Sequence, residues 1–297
     1  MTSKSFRMTE RDGDVLLSIY KHRFLTITQI QRMHFPSMQT AYRRIRLLKQ
    51  QELLSDFTIP NIEESIITVS RRGLVEVAGL LGVDMKELSS TETKSKPKDY
   101  YFMRHFLAIN DFRIQLDLDS SAAGIKVLGF IPDYLGERTP QGGVSRYIRD
   151  VVCDIEKGRE EVSHTPDGVF VLEREDKAAL FFLEIDRGTE GISHPEKGVF
   201  KAIRFYTNYL ISGQYQRYSK DFNKESFKGF RVLFVTTSRE RIENIRQSIS
   251  GLEAPIKSKL FVWLSTFEKL NESGIFGRIW VSALKGDNTW YSLKGRE

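Results

Sequence analysis

Three acidic side chains in the second half of the sequence could do chemistry together. Glu184 and Asp186 stand two residues apart in the apolar run FFLEID, and Asp167 lies in the turn PDG upstream of it. Side chains two apart on a strand point to the same face, so Glu184 and Asp186 would lie side by side. A carboxylate without a partner is costly in an apolar setting. We therefore expect a cationic group at this end of the strand.

A polar turn, EREDKA, separates the two segments and predicts a β-hairpin. Antiparallel pairing of the strand that follows Asp167 with the strand that carries Glu184 and Asp186 would bring the three carboxylates to one point. Such a cluster repels itself unless a divalent cation lies in it, and Mg²⁺ or Mn²⁺ suits a site made of oxygen ligands. The cation could activate water for hydrolysis of a phosphodiester. The pattern therefore predicts a metal site formed by the three acids.

Two structural explanations of Glu184 and Asp186 are alternatives to the metal site. Asp186 could be neutralised by Arg187 or a nearby lysine while the fold serves only for DNA binding or assembly, or Glu184 and Asp186 could end the strand in salt bridges. The five histidines show no HExxH motif and no paired metal-ligand spacing, and the sequence contains no GxGxxG or GxxxxGK[ST] phosphate loop and no GxSxG elbow. Other common catalytic chemistries are therefore disfavoured.

Positive charge is concentrated at the start of the chain. The 297 residues have a net charge of +6, and residues 1–60 contain ten Lys or Arg against five Asp or Glu. A basic segment in front of a nearly neutral one is typical of a polyanion-binding module. No apolar run is long enough to span a membrane and the N-terminus lacks a signal core, so we expect a cytoplasmic protein. The single cysteine, Cys153, excludes an internal disulfide, and the run VVCDI predicts that it is buried.

The first part of the sequence predicts a winged helix-turn-helix. Helical periodicity is found in DVLLSIYKHRF, TITQIQRMHF and SMQTAYRRIRLLKQQELL, with Pro36 as a breaker before the third segment. Two short strands around the turn at Pro60 and Asn61 follow, and then another helix that Gly82 ends. Three helices followed by a hairpin are the order of this DNA-binding fold.

The third helix has the two faces of a recognition helix. Its apolar face consists of Ala41, Ile45 and Leu48, and the opposite face presents an aromatic ring and cations, Tyr42, Arg43, Arg46 and Lys49. Arg44 lies to one side of this polar face. The apolar stripe would pack on the other helices, and the five polar side chains would enter a major groove or meet phosphates. Double-stranded DNA is therefore the predicted partner.

The sequence divides into two domains around a linker. Residues 89–98, SSTETKSKPK, contain no large apolar side chain, which is the composition of a linker. We place a winged helix-turn-helix domain at residues 1–88 and a second domain at residues 99–297. The second domain mixes apolar, strand-like runs with single helices, which predicts an α/β or α+β fold around a mixed sheet.

The segments PDG and LEIDRGT resemble the PD-(D/E)xK nuclease superfamily, and more closely the replication-relaxation family of bacterial plasmids and other mobile elements. In that family a winged helix precedes such a domain, and the resemblance extends over the whole chain, from the basic helices to the strand LFVTT. It implies a restriction-endonuclease-like core in which Asp167 and Glu184 bind metal. It also implies a role in plasmid replication or transfer.

One position departs from the nuclease pattern. The lysine that the resemblance implies two residues after Glu184 is replaced by Asp186. In some members of the superfamily this lysine is supplied by the next helix. The resemblance therefore implies Lys201 as the residue that would orient or deprotonate the water. On a helical wheel Lys201 shares a face with Arg204 and Asn208, opposite an apolar stripe, so it would face solvent or phosphates.

These observations define two functional hypotheses. In the first, the protein binds DNA in the initiation of plasmid replication or transfer, and a Mg²⁺-dependent endonuclease site is formed by Asp167, Glu184, Asp186 and Lys201. In the second, the nuclease-like fold is inactive and the protein is a DNA-binding initiator, an accessory factor or a transcriptional repressor. Replication or relaxase proteins are further candidate partners. A palindromic site requires two copies of a winged helix, so we expect a homodimer.

Overall fold

A computed structural model describes residues 6–88, 99–138, 144–154, 158, 160–188, 198–250 and 261–295. The chain forms two compact units, Met1–Ile114 and Gln115–Glu297, called unit 1 and unit 2 below. The predicted linker lies outside the described residues, and the predicted domain boundaries stay a prediction.

Unit 1 has the element order of a winged helix-turn-helix. Three helices and a short strand are followed by a two-stranded wing and a fourth helix: α1 (Glu10–His22), β1 (Leu25–Thr26), α2 (Ile27–His34), α3 (Met38–Gln50), β2 (Leu54–Phe57), β3 (Ile66–Val69) and α4 (Arg71–Leu81). The strands form an antiparallel sheet of order β1-β3-β2. A long helix, α5 (Tyr100–Ala123), begins within the bounds of unit 1 and ends within those of unit 2.

Hydroxyl side chains begin each of the first four helices. Thr9 and Thr26 form reciprocal capping boxes at the starts of α1 and α2, and Ser37 and Ser70 accept hydrogen bonds from backbone N–H groups of α3 and α4. These bonds satisfy donors that a helix leaves without partners at its start. Gly82 ends α4 with a left-handed φ of 68°, a conformation that glycine adopts without a steric cost.

Unit 1 combines an apolar core with buried amide contacts to the first part of α5. The core is formed mainly by Val15, Leu16, Ile19, Leu25, Ile30, Ala41, Ile45, Leu48, Ile67 and Val77. The Asn110 side chain donates to the carbonyl oxygens of His22 and Phe24 at 3.2 and 2.8 Å, and Gln29 donates to that of Leu107 at 3.0 Å. Because buried carbonyl groups need donors, these amides fix α5 against the end of α1.

Unit 2 is an α/β unit built on a mixed sheet, as the sequence predicts. Its elements are β4 (Lys126–Pro132), β5 (Gly136–Arg138), β6 (Val144–Arg146), β7 (Asp150–Cys153), β8 (Glu161–His164), β9 (Gly168–Arg174), β10 (Lys177–Asp186), α6 (Gly198–Ser212), α7 (Tyr218–Asp221), β11 (Phe230–Thr236), α8 (Arg239–Ser250), β12 (Val262–Thr266), α9 (Phe267–Ser273), β13 (Trp280–Ser282) and β14 (Trp290–Tyr291). The main sheet has seven strands in the order β14-β13-β12-β11-β10-β9-β4.

The predicted hairpin is confirmed as β9 and β10. Arg174 pairs with Lys177, and the two turn residues between them, Glu175 and Asp176, have positive φ angles of 51° and 63°. Such a two-residue turn matches the twist of the flanking strands. On its other edge β10 pairs in parallel with β11, which makes β10 an interior strand and accounts for its apolar sequence.

The core of unit 2 lies on the face of the sheet covered by α6 and α8. It includes Val171, Phe182, Phe205, Tyr206, Tyr209, Val232, Phe234, Ile242, Ile245 and Leu264. The smaller ribbon of β7 and β8 also packs on α6. The prediction that Cys153 is buried is wrong, because only Val152 of this strand points into the core and Cys153 is exposed. Among the described residues, no helix is long and apolar enough to cross a membrane.

Candidate functional site

The exposed face of α3 carries three of the five predicted DNA contacts. Tyr42, Arg43 and Arg46 are exposed, with 56% of Tyr42 accessible. On the opposite face Ala41, Ile45 and Leu48 are buried, as the helical periodicity predicts. The ring and the two guanidinium groups therefore project from a helix whose other side is fixed in the core.

Arg44 has a structural partner. Its guanidinium forms an ion pair with Asp12, with Nε donating to Oδ1 at 2.6 Å, and it also donates to the carbonyl oxygen of Arg7 at 3.3 Å. Asp12 is fully buried and closes the capping box with Thr9. Burial raises the pKa of Asp12, but the hydrogen bonds from Arg44 and Thr9 outweigh burial and hold this pKa below its ordinary value. Arg44 thus links α3 to the start of α1.

We expect Asp12→Asn to destabilise unit 1 by about 2 kcal/mol at neutral pH, because Arg44 loses its ionic partner. The folded pKa of Asp12 lies below its unfolded value of about 3.9, so this stabilisation is present above that pH and is lost as the pH falls through the folded pKa. Amide hydrogen exchange in α1 and α3 measures the loss. Asp14→Asn, at an exposed acid of the same helix, is the control, and equal exchange in the two variants would contradict this role.

Lys49 is bound to an acidic residue of the wing. Its ammonium group forms an ion pair with Asp56 of β2, at the surface of unit 1. Residues 51–70 contain no Lys or Arg and four acids, Glu52, Asp56, Glu63 and Glu64. Glu64 accepts a hydrogen bond from the backbone N–H of Thr28 at 2.9 Å. The wing is therefore acidic, and the cations paired with it are Lys49 of α3 and Arg72 of α4, which lies 4.0 Å from Glu52.

Asp167 and Glu184 come together at one end of the hairpin. Gly168 is paired with Leu183, and the N–H of Asp167 donates to the carbonyl oxygen of Leu183 at 3.0 Å. The Asp167 carboxylate accepts a hydrogen bond from the N–H of Ile185 at 2.6 Å. A side chain at Gly168 would collide with the ring of Phe130, whose nearest atom would lie 2.2 Å from an added Cβ. The PDG turn thus needs its glycine for close packing and holds Asp167 beside the end of β10.

Glu184 is bound by His164, whose position three residues before Asp167 predicts that it could contact the site, and by Tyr206, which the sequence prediction did not include. His164 Nε2 lies 2.7 Å from Glu184 Oε1, and the Tyr206 hydroxyl donates to the same oxygen. Burial lowers the pKa of His164, but the carboxylates of Glu184 and Asp167 outweigh burial and raise it. Burial also raises the pKa of Glu184 despite its hydrogen bonds to His164 and Tyr206, so the two groups share a hydrogen bond in a largely buried site. The only sequence signal for His164 is its position three residues before Asp167.

Lys201 lies on α6 within electrostatic range of this cluster. It is partly buried, and its charge lowers the pKa of His164. The predicted solvent-facing side of α6 is instead covered, since Arg204 is 8% exposed and forms an ion pair with the fully buried Asp154. Asn208 is buried against the same carboxylate. The ribbon of β7 and β8 causes the difference, because it packs on α6 where the helical wheel predicted solvent.

Asp186 is held by an arginine clamp. Arg241 Nε donates to Oδ2 at 2.7 Å and Nη2 donates to Oδ1 at 3.0 Å, while the hydroxyl of Thr236 donates to Oδ2 at 3.0 Å. The N–H of Gly188 donates to Oδ1 at 3.0 Å. The cationic group expected at this strand end is therefore Arg241, at the start of α8.

The geometry bears directly on the predicted metal site. No group of three His, Cys, Asp or Glu side chains that could hold a metal ion occurs in the part of the chain that the structure describes. Asp186 does not fit as a third ligand, because both of its oxygens accept hydrogen bonds from Arg241. Asp167 and Glu184 fit as a pair, being neighbours at one sheet end. Binding of Mg²⁺ or Mn²⁺ stays a prediction.

The fold and the site define a protein with a winged helix-turn-helix unit and a mixed-sheet α/β unit with an acidic strand end. The chain belongs to the replication-relaxation family, whose model matches residues 16–224, more than half of the chain. Family membership indicates a role in the replication or transfer of a plasmid or other mobile element. No curated protein and no solved structure gave a significant match.

Proposed function

We propose that this protein binds double-stranded DNA through α3 and acts in the initiation of replication or transfer of a mobile element. The observation that carries the proposal is the exposed set Tyr42, Arg43 and Arg46 on a helix whose opposite face is buried. Guanidinium groups donate two parallel hydrogen bonds to guanine or to phosphate, and an aromatic ring can contact a thymine methyl group. This helix has the side chains that major-groove reading requires.

The charge distribution of unit 1 supports α3 as the principal contact. The wing has four acids and no cation, so it would repel phosphates. Arg44 is paired with a buried acid and Lys49 with Asp56, so Arg43 and Arg46 are the arginines of α3 best placed to meet DNA. Affinity should therefore depend strongly on these two side chains.

Titration of the full chain with duplex fragments of its mobile element, by fluorescence anisotropy between about 50 and 200 mM salt, tests the proposal. Each phosphate contact lowers the slope of log K against log salt by about 0.9. We expect specific binding with a steep negative slope. Equal and weak binding to all duplexes at every salt concentration would overturn the proposal.

The surroundings of Asp186 favour a DNA-binding protein whose nuclease-like unit is a scaffold. The Asp186 carboxylate forms an ion pair with Arg241. A buried carboxylate with no catalytic role needs such a cationic partner. In this role the protein is an initiator, an accessory factor or a repressor, with duplex DNA and replication or relaxase proteins as partners. Two copies would read a two-fold symmetric site.

A second candidate function, metal-dependent cleavage of DNA, is favoured by one observation. Asp167 and Glu184 are adjacent, and Lys201 lies close enough for its charge to act on their partner His164. If Mg²⁺ binds there, Asp167 and Glu184 would hold it and Lys201 would orient the water. The ion would supply charge neutralisation and an activated water.

Nicking of supercoiled plasmid with Mg²⁺ or Mn²⁺ tests this second function. If the wild-type chain cleaves, we expect the Asp167→Ala variant to cleave at least about a hundredfold more slowly, because a two-carboxylate site loses half of its protein ligands. Asp176→Asn, in the turn at the other end of the hairpin, is the matched control and should cleave normally. Intact plasmid with every metal, or equal cleavage by Asp167→Ala, would leave only the binding function.

A further inference from the structure

One partly buried arginine of unit 2 has no anionic partner. The largely buried side chains of Arg204, Arg241 and Arg246 each donate to a carboxylate or to carbonyl oxygens. In the part of the chain that the structure describes, Arg231 of β11 donates no hydrogen bond and forms no ion pair. Burial lowers the pKa of Arg231, and the group that opposes burial is Tyr291, which is not a carboxylate. Because a cation out of water is costly without an anion, Arg231 is suited to bind one from outside the chain.

Two stacked aromatic rings hold the Arg231 guanidinium. Its central carbon Cζ lies 3.9 Å from the centre of the Trp263 ring, and this contact is attractive because a cation meets the negative face of the ring. Trp263 is stacked in turn on Tyr291, with ring centres 4.8 Å apart and an interplanar angle of 19°. The Tyr291 hydroxyl donates to Asp287 at 2.9 Å. The guanidinium is therefore fixed while its N–H groups stay available to an acceptor.

Small residues beside Arg231 leave it reachable from solvent. Arg231 points away from the core that its neighbour Val232 joins under α6 and α8. It pairs with Phe181 of β10, so Ala179, two residues before Phe181, lies beside it on the same face of the sheet. Gly229, two residues before Arg231, has no side chain, and a Cβ added there would meet no atom within 4 Å. Ala179 is exposed, so the sheet is open to solvent at this corner.

A second cation lies on this face of the sheet. Lys177 begins β10 two residues before Ala179, so its side chain points to the same face, where it is exposed. Arg174 of β9 pairs with Lys177 across the hairpin and is also exposed, and its partner Glu175 is a surface acid 3.5 Å away. Cations thus occur on three adjacent strands, β9, β10 and β11. Such a row is the distribution that an extended polyanion requires.

We propose that this corner of the sheet, defined by Arg231 and Lys177, is a second DNA-binding surface, with the Arg231 guanidinium on a backbone phosphate. A guanidinium donates two parallel hydrogen bonds to phosphate, and a lysine beside it adds a point charge. Trp263 is only 5% exposed, so a base cannot stack on it and the contact is made to the backbone alone. The surface would therefore bind DNA of any sequence, whereas α3 reads a site.

The inference rests on the proposed function, because it adds a contact to a protein that binds DNA, but the two fail separately. The relevant variants are Arg43→Ala with Arg46→Ala, called the α3 variant, and Lys177→Gln with Arg231→Gln, called the sheet variant. If the sheet variant binds normally while the α3 variant loses its site, the function stands and this surface does not. If only the sheet variant loses binding to random-sequence DNA, the surface stands and α3 is not the principal contact.

Fluorescence anisotropy with a random-sequence duplex tests the surface in full-length chains that already carry the α3 substitutions. We expect residual binding in this background. Adding the sheet substitutions should weaken it at least about tenfold and make the slope of log K against log salt shallower by about 2, because two phosphate contacts are lost. The matched control adds Lys220→Gln with Arg278→Gln, which removes the same charges from exposed residues elsewhere in unit 2 and should bind like the background. No residual binding, or equal binding with the sheet and the control substitutions, would overturn the proposal.

Trp263 gives an independent measurement that needs no change at Arg231, because its ring contacts the guanidinium. The Trp290→Phe chain lacks the exposed tryptophan of β14 and keeps Trp263. Addition of DNA should change its tryptophan emission, and added salt should reverse the change as phosphate contacts are lost. Unchanged emission at saturating DNA would contradict a contact at Arg231. Tighter binding of polyglutamate than of DNA at equal charge would assign the surface to an acidic protein and would also overturn the proposal.

Discussion

Replacement of Arg43 and Arg46 by alanine is expected to weaken binding of the full chain to its duplex site about a hundredfold, since each such contact contributes roughly 1–3 kcal/mol. Both side chains are exposed on α3, while Ile45 between them is buried. Their removal should therefore leave the helix packed in unit 1. Anisotropy titrations at several salt concentrations provide the measurement.

The salt dependence identifies which kind of contact is lost. If the two guanidinium groups meet phosphates, the slope of log K against log salt should become shallower by about 2. If they read guanine bases, discrimination between the cognate and a mutated site should fall while the slope changes little. The double variant Lys21→Ala with Lys86→Ala removes two exposed charges of unit 1 away from α3 and should bind normally. Unchanged affinity of the Arg43→Ala, Arg46→Ala variant would show that DNA binds elsewhere than at α3.

The sequence predicts the parts of this fold that local patterns specify. The three consecutive helices α1, α2 and α3, and the buried stripe of Ala41, Ile45 and Leu48, follow from the spacing of apolar residues. The hairpin of β9 and β10 follows from a polar turn between apolar runs, and its register places Asp167 beside residues 184 and 185. Each of these features depends on residues close together in the chain. Local interactions decide them, so the sequence is sufficient.

Partners from distant elements were not predictable in the same way. Asp186 meets Arg241 because β10 and β11 are parallel and α8 begins just after β11, a long-range arrangement without a local signal. Arg44 was assigned to DNA from its position on α3, although Asp12 binds it from α1. For Asp186 the sequence predicted a cation but named Arg187 or a lysine in place of Arg241, and for Arg44 it predicted no acidic partner; in both cases tertiary packing supplies the opposite charge.

Arg241→Ala should destabilise unit 2 by about 3 kcal/mol, because it leaves a largely buried carboxylate without its cation. The side chains of Arg241 and Asp186 are only 14% and 7% exposed, so water replaces the lost partner poorly. Urea unfolding followed by tryptophan fluorescence reports on this unit selectively, since the three tryptophans lie at positions 263, 280 and 290. Arg239→Ala, at the exposed first residue of α8, is the matched control and should be close to neutral.

The same variant separates the structural role of Asp186 from the predicted metal-binding role. The double variant Asp186→Ala with Arg241→Ala should be less destabilised than the sum of the single variants, because the two residues act as one pair. If Asp186 serves only this pair, Mg²⁺ stabilises Arg241→Ala no more than it stabilises the double variant. If Asp186 is a metal ligand once released, Mg²⁺ restores stability to Arg241→Ala and fails to restore it to the double variant. Restoration would return Asp186 to the acidic site beside Asp167 and Glu184, and its absence would support the scaffold role of this strand end.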